Sequence, residues 1–344
     1  MLADILIKVA GMEKEDRHAY YPRPSIAGPE RCIRQMVYWG SGTPEDTKMS
    51  DRFVLVLDDS SWHEYLTSDW IQKTAFKLHS QQMTVSVTWQ GLTLTGHIDG
   101  IITDLLGVDR LHEHKAINHF TWQRYAAGVV PVDYIAQCCL YIKGLQAENP
   151  AINEAVLLIK NKNTSQFLEY LIGYDSTTDT AMIKSIIASY GEVAPSGEVF
   201  EQTVHSAFAK FEIVDHHIKA GTLPPRPFEY GTDYPCTYCS WQNTCWGEYE
   251  KEVEAISNNE ADLTELSDSA RFYNELGAQI GEMTKQKKEV GHMIKKVLLD
   301  KSVRHGKAGE YDIELLLKKV KGYAVEPRTQ EELHVKKFKS RGSK

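Results

Sequence analysis

The chain has 344 residues, 42% of them hydrophobic and 25% charged, with 39 Lys and Arg against 47 Asp and Glu and a formal net charge of −8. This usage excludes global disorder and supplies a sizeable core. No apolar run approaches the roughly 18–20 residues of a membrane span, six cysteines are too few for a disulfide scaffold, and the net charge taken alone does not point to nucleic acid.

Residues 1–50 read as short helices and loops, punctuated by Pro22, Pro24 and Pro29. The first apolar stretch is interrupted by Asp4 and Lys8 and is followed by no small-residue cleavage site, so no secretory signal is expected and the expected location is cytoplasmic, in a bacterial or phage-infected cell. FVLVL at 53–57 fits a strand or a helix. A helix is expected from Ser60, with Ser60 or Ser61 as N-cap and Glu64 completing the cap. Residues 82–88 alternate with period two, Gly91 turns the chain, and LTLTGHIDGIITDL reads as one further strand. A turn at 105–109 leads into a third strand, RLHEHKAI.

Next come a helix over 133–147, paired strands over 154–160 and 166–173, and helices near 177–190 and 198–220, the last ending on Gly221. A cysteine-bearing loop occupies 224–247. A long helix runs from about Asp262 to Leu299, and KSVRH with YDIELLLKKV reads as a terminal hairpin. This order predicts an α/β or α+β core, a mixed central sheet flanked by helices. Two regions are expected, 1–250 around the sheet and 255–344 holding the long helix, hairpin and tail.

Asp99 and Glu113 lie on consecutive strands that a tight hairpin brings together, and Glu113 and Lys115, two apart, share a face of their strand. Two carboxylates in contact repel unless a cation lies between them. A hard divalent ion such as Mg²⁺ or Mn²⁺ takes oxygen ligands, activates water and stabilises charge on phosphate, with the ammonium of Lys115 assisting. A cross-strand salt bridge on a solvated face also satisfies these three residues. Around them stand Gly96 three before Asp99, His63 on the helix ahead of the sheet, and Gln137 with Tyr141 one turn apart on the helix that follows.

A helix histidine, G-x-x-D, E-x-K and Q-x-x-x-Y in this order resemble the PD-(D/E)XK nuclease superfamily, in particular its RecB-like exonuclease branch. The resemblance implies a restriction-endonuclease-like α/β core. It also implies His63, Asp99, Glu113 and the main-chain carbonyl of His114 as ligands of Mg or Mn, Lys115 as catalytic lysine, and Gln137 with Tyr141 supporting the site and contacting DNA. Ile98 stands where the superfamily name has proline, and no glycine precedes the histidine helix.

Cys236, Cys239 and Cys245 fall within ten residues, Cys32 is isolated, and Cys138 with Cys139 belong to an expected buried helix. Three thiols on a Pro-flanked loop with Cys32 as a fourth suit an iron–sulfur cluster better than the paired C-x2-C of a structural zinc; zinc and free thiols are the other readings. One cysteine before the core and C-x2-C-x5-C after it resemble the iron–sulfur nucleases of the AddB and CRISPR-associated RecB-like type, with phage-encoded relatives. That implies a [4Fe–4S] cluster on Cys32, Cys236, Cys239 and Cys245 and an iron–sulfur-bound helical region.

Residues 285–344 carry 17 Lys and Arg against 8 Asp and Glu, a net +9 that leaves −17 for residues 1–284. The basic part is either a solvated face with a disordered end or a surface that tracks phosphates and delivers DNA. The sequence thus predicts a metal-dependent DNA exonuclease of recombination, repair, phage DNA metabolism or CRISPR-type processing. Single-stranded or duplex DNA ends are its expected partner. A helicase, recombinase or single-strand-binding protein is a further candidate partner, since no G-x-x-x-x-G-K-[ST] motor motif is present. A structure-specific endonuclease and a non-catalytic DNA-end-binding scaffold are the alternatives.

Overall fold

A computed structural model of the chain describes residues 2–12, 19–47, 50–188, 191–193, 197–228, 235–255, 264–308 and 311–315. The chain divides into two compact units, residues 1–248 and 249–344. Most of the expected terminal tail, including VKKFKSRGSK, lies outside the described residues.

The first unit opens with helix α1 (Leu2–Met12), a single 3-10 turn at Pro24–Ile26, α2 (Ile33–Gly40) and the 22-residue α3 (Asp51–Gln72). FVLVL and the segment from Ser60 therefore form one continuous helix. Its N-cap is Ser50, not Ser60 or Ser61, and Ser60 Oγ instead bonds back to the carbonyl of Val56. Strand β1 (Lys77–His79) precedes the hairpin of β2 (Thr84–Trp89) and β3 (Leu92–His97), then β4 (Gly100–Thr103) and β5 (Asp109–Ile117). The expected single strand over LTLTGHIDGIITDL is thus two. The backbone of Ile98 still bonds to Met83 and Gln82, after which the chain leaves the two-stranded β2–β3 ribbon and joins the main sheet at Gly100.

Helices α4 (His119–Ala126) and α5 (Val132–Leu145) carry the chain across the sheet to β6 (Glu154–Asn161), which runs parallel to β5. A parallel neighbour requires such a crossover. Antiparallel strands β7 (Phe167–Asp175), β8 (Thr180–Ala188), β9 (Gly191–Val193) and β10 (Val199–Glu201) follow. The main sheet has the order β1-β4-β5-β6-β7-β8-β10, with β9 on β8. It is mixed, because β5–β6 is parallel and its other pairings are antiparallel.

The sequence predicts a helix near 177–190; of the described residues there, 177–179 form a turn and 180–188 form strand β8. Ala181 and Ile183 are buried while their neighbours face outward, a period of two that pairing with β7 selects. Helix α6 (Thr203–Ala220) ends on Gly221, whose φ of +63° is the left-handed conformation glycine adopts without a Cβ clash. Helix α7 (Gln242–Ala255) begins within the expected 224–247 loop and carries Cys245.

The core lies between the sheet and α5. Cys138, Cys139, Leu140 and Ile142 of α5 are fully buried against Leu111, Leu157, Ile159 and Tyr170. Cys138 and Cys139 are therefore core residues, as their place in the sequence implied. The second unit contains the 34-residue α8 (Ser267–Asp300) and the hairpin of β11 (His305–Ala308) with β12 (Tyr311–Glu314). The fold class is α/β, a mixed sheet flanked by helices with a long C-terminal helix.

Candidate functional site

The pairing of β4 with β5 runs only from Gly100 opposite His112 to Thr103 opposite Asp109. Beyond Gly100 the chain peels away, and the N–H of His114 donates at 2.7 Å to Asp99 Oδ2 instead of to a strand neighbour. The strand break so fixes the first carboxylate against the strand that carries the second.

Glu113 is only 1% exposed. Its Oε1 accepts from Lys115 Nζ at 2.5 Å and from Gln137 Nε2 of α5 at 2.8 Å. Its Oε2 is buried and has no hydrogen-bond partner among the described residues. Burial pushes the Glu113 carboxyl up to about 8, against the pull of Lys115 and with the charges of Asp99 and Glu64 adding to the rise. Asp99 is raised as well, by burial first, with Lys115 and the His114 N–H opposing. Burial alone would lower Lys115, but Glu113 and Asp99 outweigh it and hold the ammonium charged, and the ring of Tyr134 lies 5.4 Å from it.

Tyr141 is almost fully buried and its hydroxyl donates at 2.9 Å to the carbonyl of His97. A Cβ on Gly96 would come within 2.6 Å of that hydroxyl. Glycine at 96 thus lets α5 approach β3 where the chain turns toward Asp99. The G-x-x-D and Q-x-x-x-Y elements meet at this contact.

His63 stands elsewhere. Its charged neighbours are Lys160, Lys162 and Asp59, and burial lowers its pKa first, with the two lysines adding to it. It also lies near the side chain of His114, which burial drives down to about 3. The α3 residue that reaches the acidic pair is Glu64. It is raised to about 7 by burial and then by Asp99, while Lys115 lowers it, and its Oε1 accepts from Gln82 Nε2 at 3.3 Å. One ammonium therefore faces three carboxylates, Glu64, Asp99 and Glu113. Glu64 does not stand out in the sequence, where a helix starting at Ser60 makes it part of the cap. With α3 beginning at Asp51 the residue is mid-helix, where a polar side chain facing the sheet needs another explanation.

No group of three or more His, Cys, Asp or Glu side chains among the described residues is disposed to hold a metal ion as it stands. The donor chemistry nonetheless fits a hard cation: buried carboxylate oxygens, one of them without a partner.

The cysteines form a second place of interest. Cys32, Cys236, Cys239 and Cys245, up to 213 positions apart in sequence, line one cavity of about 20 Å³ together with Gln35, Tyr38 and Trp246. Gln35 donates from its backbone to Cys32 Sγ at 3.4 Å and from its side chain to Cys239 Sγ at 3.6 Å. Burial raises the thiol of Cys32 and pushes Cys239 up to about 11. Four sulfurs lining one cavity, two of them met by donors from Gln35, suit a positively charged iron or zinc centre that takes thiolates. The same two segments are also tied without any such centre. Ser240 accepts from the N–H groups of Asp46 and Thr47 at 3.0 Å, Trp241 Nε1 donates to Thr43 at 2.8 Å, and Tyr38 stacks on Trp241.

No protein-family model matches the chain, and no curated protein does. Among solved structures the chain is similar to SSO0001, known from a crystal structure, with 12% identity and a TM-score of 0.39 over 71% of this chain and 96% of that one. No helix among the described residues is long and apolar enough to cross a membrane.

Proposed function

We propose that the chain is a Mg²⁺- or Mn²⁺-dependent deoxyribonuclease of the PD-(D/E)XK type, in its RecB-like iron–sulfur branch, and that it acts as an exonuclease on DNA. The observation that carries this reading is the buried Glu113, bonded to Lys115 and Gln137 through one oxygen while the other has no partner, beside Asp99 on the adjoining strand break. Leaving a buried carboxylate oxygen unsatisfied costs about 1–3 kcal/mol or more, and a cation offsets that cost. The crossover between parallel β5 and β6, with α5 against Glu113 and α3 supplying Glu64, is compatible with a restriction-endonuclease-like core.

Asp99, Glu113 and Glu64 would hold the divalent ion. When bound, such an ion supplies Lewis-acid stabilisation of phosphate charge and a more acidic water. Lys115, kept charged by its carboxylate neighbours, stabilises negative charge developing on the phosphodiester. Gln137 fixes the Glu113 carboxylate, and Tyr141 fixes the turn before Asp99. Cys32, Cys236, Cys239 and Cys245 would hold a [4Fe–4S] cluster as a structural staple, with structural zinc the other occupant their chemistry admits.

End-labelled single- and double-stranded DNA and a closed circle, incubated with Mg²⁺ or Mn²⁺, test the reading. Labelled ends should be degraded and the circle spared. Lys115→Ala should slow cleavage by about 10²–10³-fold, the typical cost of losing one charge-stabilising donor. Cleavage of the circle would replace exonuclease by endonuclease, and absence of metal-dependent cleavage on every substrate would reject the nuclease.

A further inference from the structure

Helix α8 carries a seven-residue repeat that the chemistry around Glu113 does not use. Taking Tyr273 as the first position, Tyr273, Ile280, Lys287 and Ile294 form one column, and Leu276, Met283, Val290 and Val297, each three residues on, form the second. Seven of these eight positions are apolar, and every one of those seven is between 38% and 68% exposed. The columns span 25 residues, about 37 Å of helix. A stripe of this spacing is the seam of a two-stranded coiled coil, and helices of marginal intrinsic stability depend on such packing.

The pattern also sets which partner and which orientation fit. The seam is palindromic about residue 285. In an antiparallel pair of identical helices Tyr273 faces Val297, Leu276 faces Ile294, Ile280 faces Val290, and Lys287 faces Met283, whose flexible thioether accommodates the lysine stem. A parallel pair would place Lys287 against Lys287 inside the seam, a like-charge contact that disfavours that arrangement. Charge follows the same rule. Residues 267–283 hold Asp268, Glu275 and Glu282 against Arg271, a net −2, whereas residues 284–300 hold five lysines against Glu289 and Asp300, a net +3. Antiparallel pairing sets the acidic half of each helix on the basic half of the other. The flanking positions Phe272, Gln279, Gln286, Met293, Gly277, Thr284, Gly291 and Leu298 are all uncharged, so nothing beside the seam opposes it.

We propose that α8 is a self-association surface, and that two copies of this chain join through an antiparallel coiled coil over Tyr273–Val297. The assembly is a dimer with a two-fold axis near residue 285.

Light scattering and sedimentation equilibrium on the full chain at tens of micromolar should give close to twice the 39.1 kDa chain mass. Ile280→Asp should give the single-chain mass with helix content by circular dichroism largely kept. Because that variant can also loosen the helix, Lys287→Leu provides the opposite test: its dimer should dissociate at a concentration on the order of tenfold lower, a polar residue in the seam having been removed. Mixing Leu276→Cys chains with Ile294→Cys chains under oxidation should yield the 276–294 disulfide peptide in preference to 276–276. A monomeric or higher-order wild type, an Ile280→Asp dimer, unchanged dissociation of Lys287→Leu, or predominance of the 276–276 peptide would each overturn the proposal.

Discussion

Glu113 illustrates how a strand's alternation distributes chemistry. Glu113 and Lys115 turn toward Gln137 and Tyr134 of α5, whereas the intervening His114 side chain lies near His63 and Lys160. The carboxylates and the ammonium of one hairpin were legible in the sequence because strand spacing and a tight turn are local properties. The partner from α3 was not. A helix places successive residues about 100° apart, so His63, which the resemblance implies as a ligand, and Glu64 face different surroundings, and the packing of α3 on the sheet decides which one meets the carboxylates. The described geometry sets Glu64 beside Asp99 and Lys115, and His63 beside Lys160 and Lys162. Glu64→Gln removes a charge at the site and keeps the side chain's shape. It should reduce metal-dependent cleavage by at least about 10–100-fold, the usual cost of losing even a group behind a metal's ligands, and raise the Mg²⁺ concentration needed for half-maximal rate. His63→Ala should change both by less. A larger loss at His63 than at Glu64, measured in parallel Mg²⁺ titrations, would return the ligand role to the histidine.

Among the elements, local pattern suffices for β2, the strands on either side of the 161–165 turn, α5 and α8, whereas the division of LTLTGHIDGIITDL between β3 and β4 depends on which strand each half pairs with. It does not suffice for strand β8, because Thr-Ala-Met-Ile-Lys-Ser-Ile-Ile-Ala supports a helical stripe and a strand alternation about equally. Pairing with β7 on one side and with β9 and β10 on the other decides between them. The cysteine loop shows the complementary case. Its spacing singled out four thiols, but the sequence held no sign of Gln35 or of the Ser240 and Trp241 contacts that hold the loop to residues 32–47. These contacts bear on the staple. Joining Cys32 to Cys236 closes a loop of about two hundred residues, for which chain-entropy arguments give several kcal/mol. Cys236→Ala should therefore lose bound iron, seen as loss of visible absorbance and of iron by elemental analysis. It should also lower the melting temperature by several degrees while leaving the backbone fold, since the Ser240 and Trp241 bonds remain. Full iron content with an unchanged melting temperature would exclude the staple.

At the scale of the whole molecule, the N-terminal segment and α6 are held together by a buried lysine. Lys210 is 9% exposed, and its ammonium donates to the carbonyls of Gly28 and, at 3.0 Å, Arg31. Burial lowers its pKa to about 8, with Arg31 adding to the fall and Asp133 and Cys32 opposing it. In the unfolded chain the group titrates near 10.5. Between about pH 8 and 10.5 the unfolded state therefore binds a proton that the folded state does not, and by linkage the Lys210 contribution to stability rises with pH. Below about pH 8 both states are protonated and the cost of burying the charge is fully present. The full change across the window is roughly 3 kcal/mol at 1.36 kcal/mol per unit. Lys210→Met removes this term while leaving every other titrating group in place. Its stability relative to the wild type should accordingly fall by up to that amount as pH is raised from 8 to 10.5, measured by denaturant unfolding of both proteins side by side. A constant difference across the window would mean that Lys210 remains charged in the folded chain, held by Asp133 and the two carbonyls.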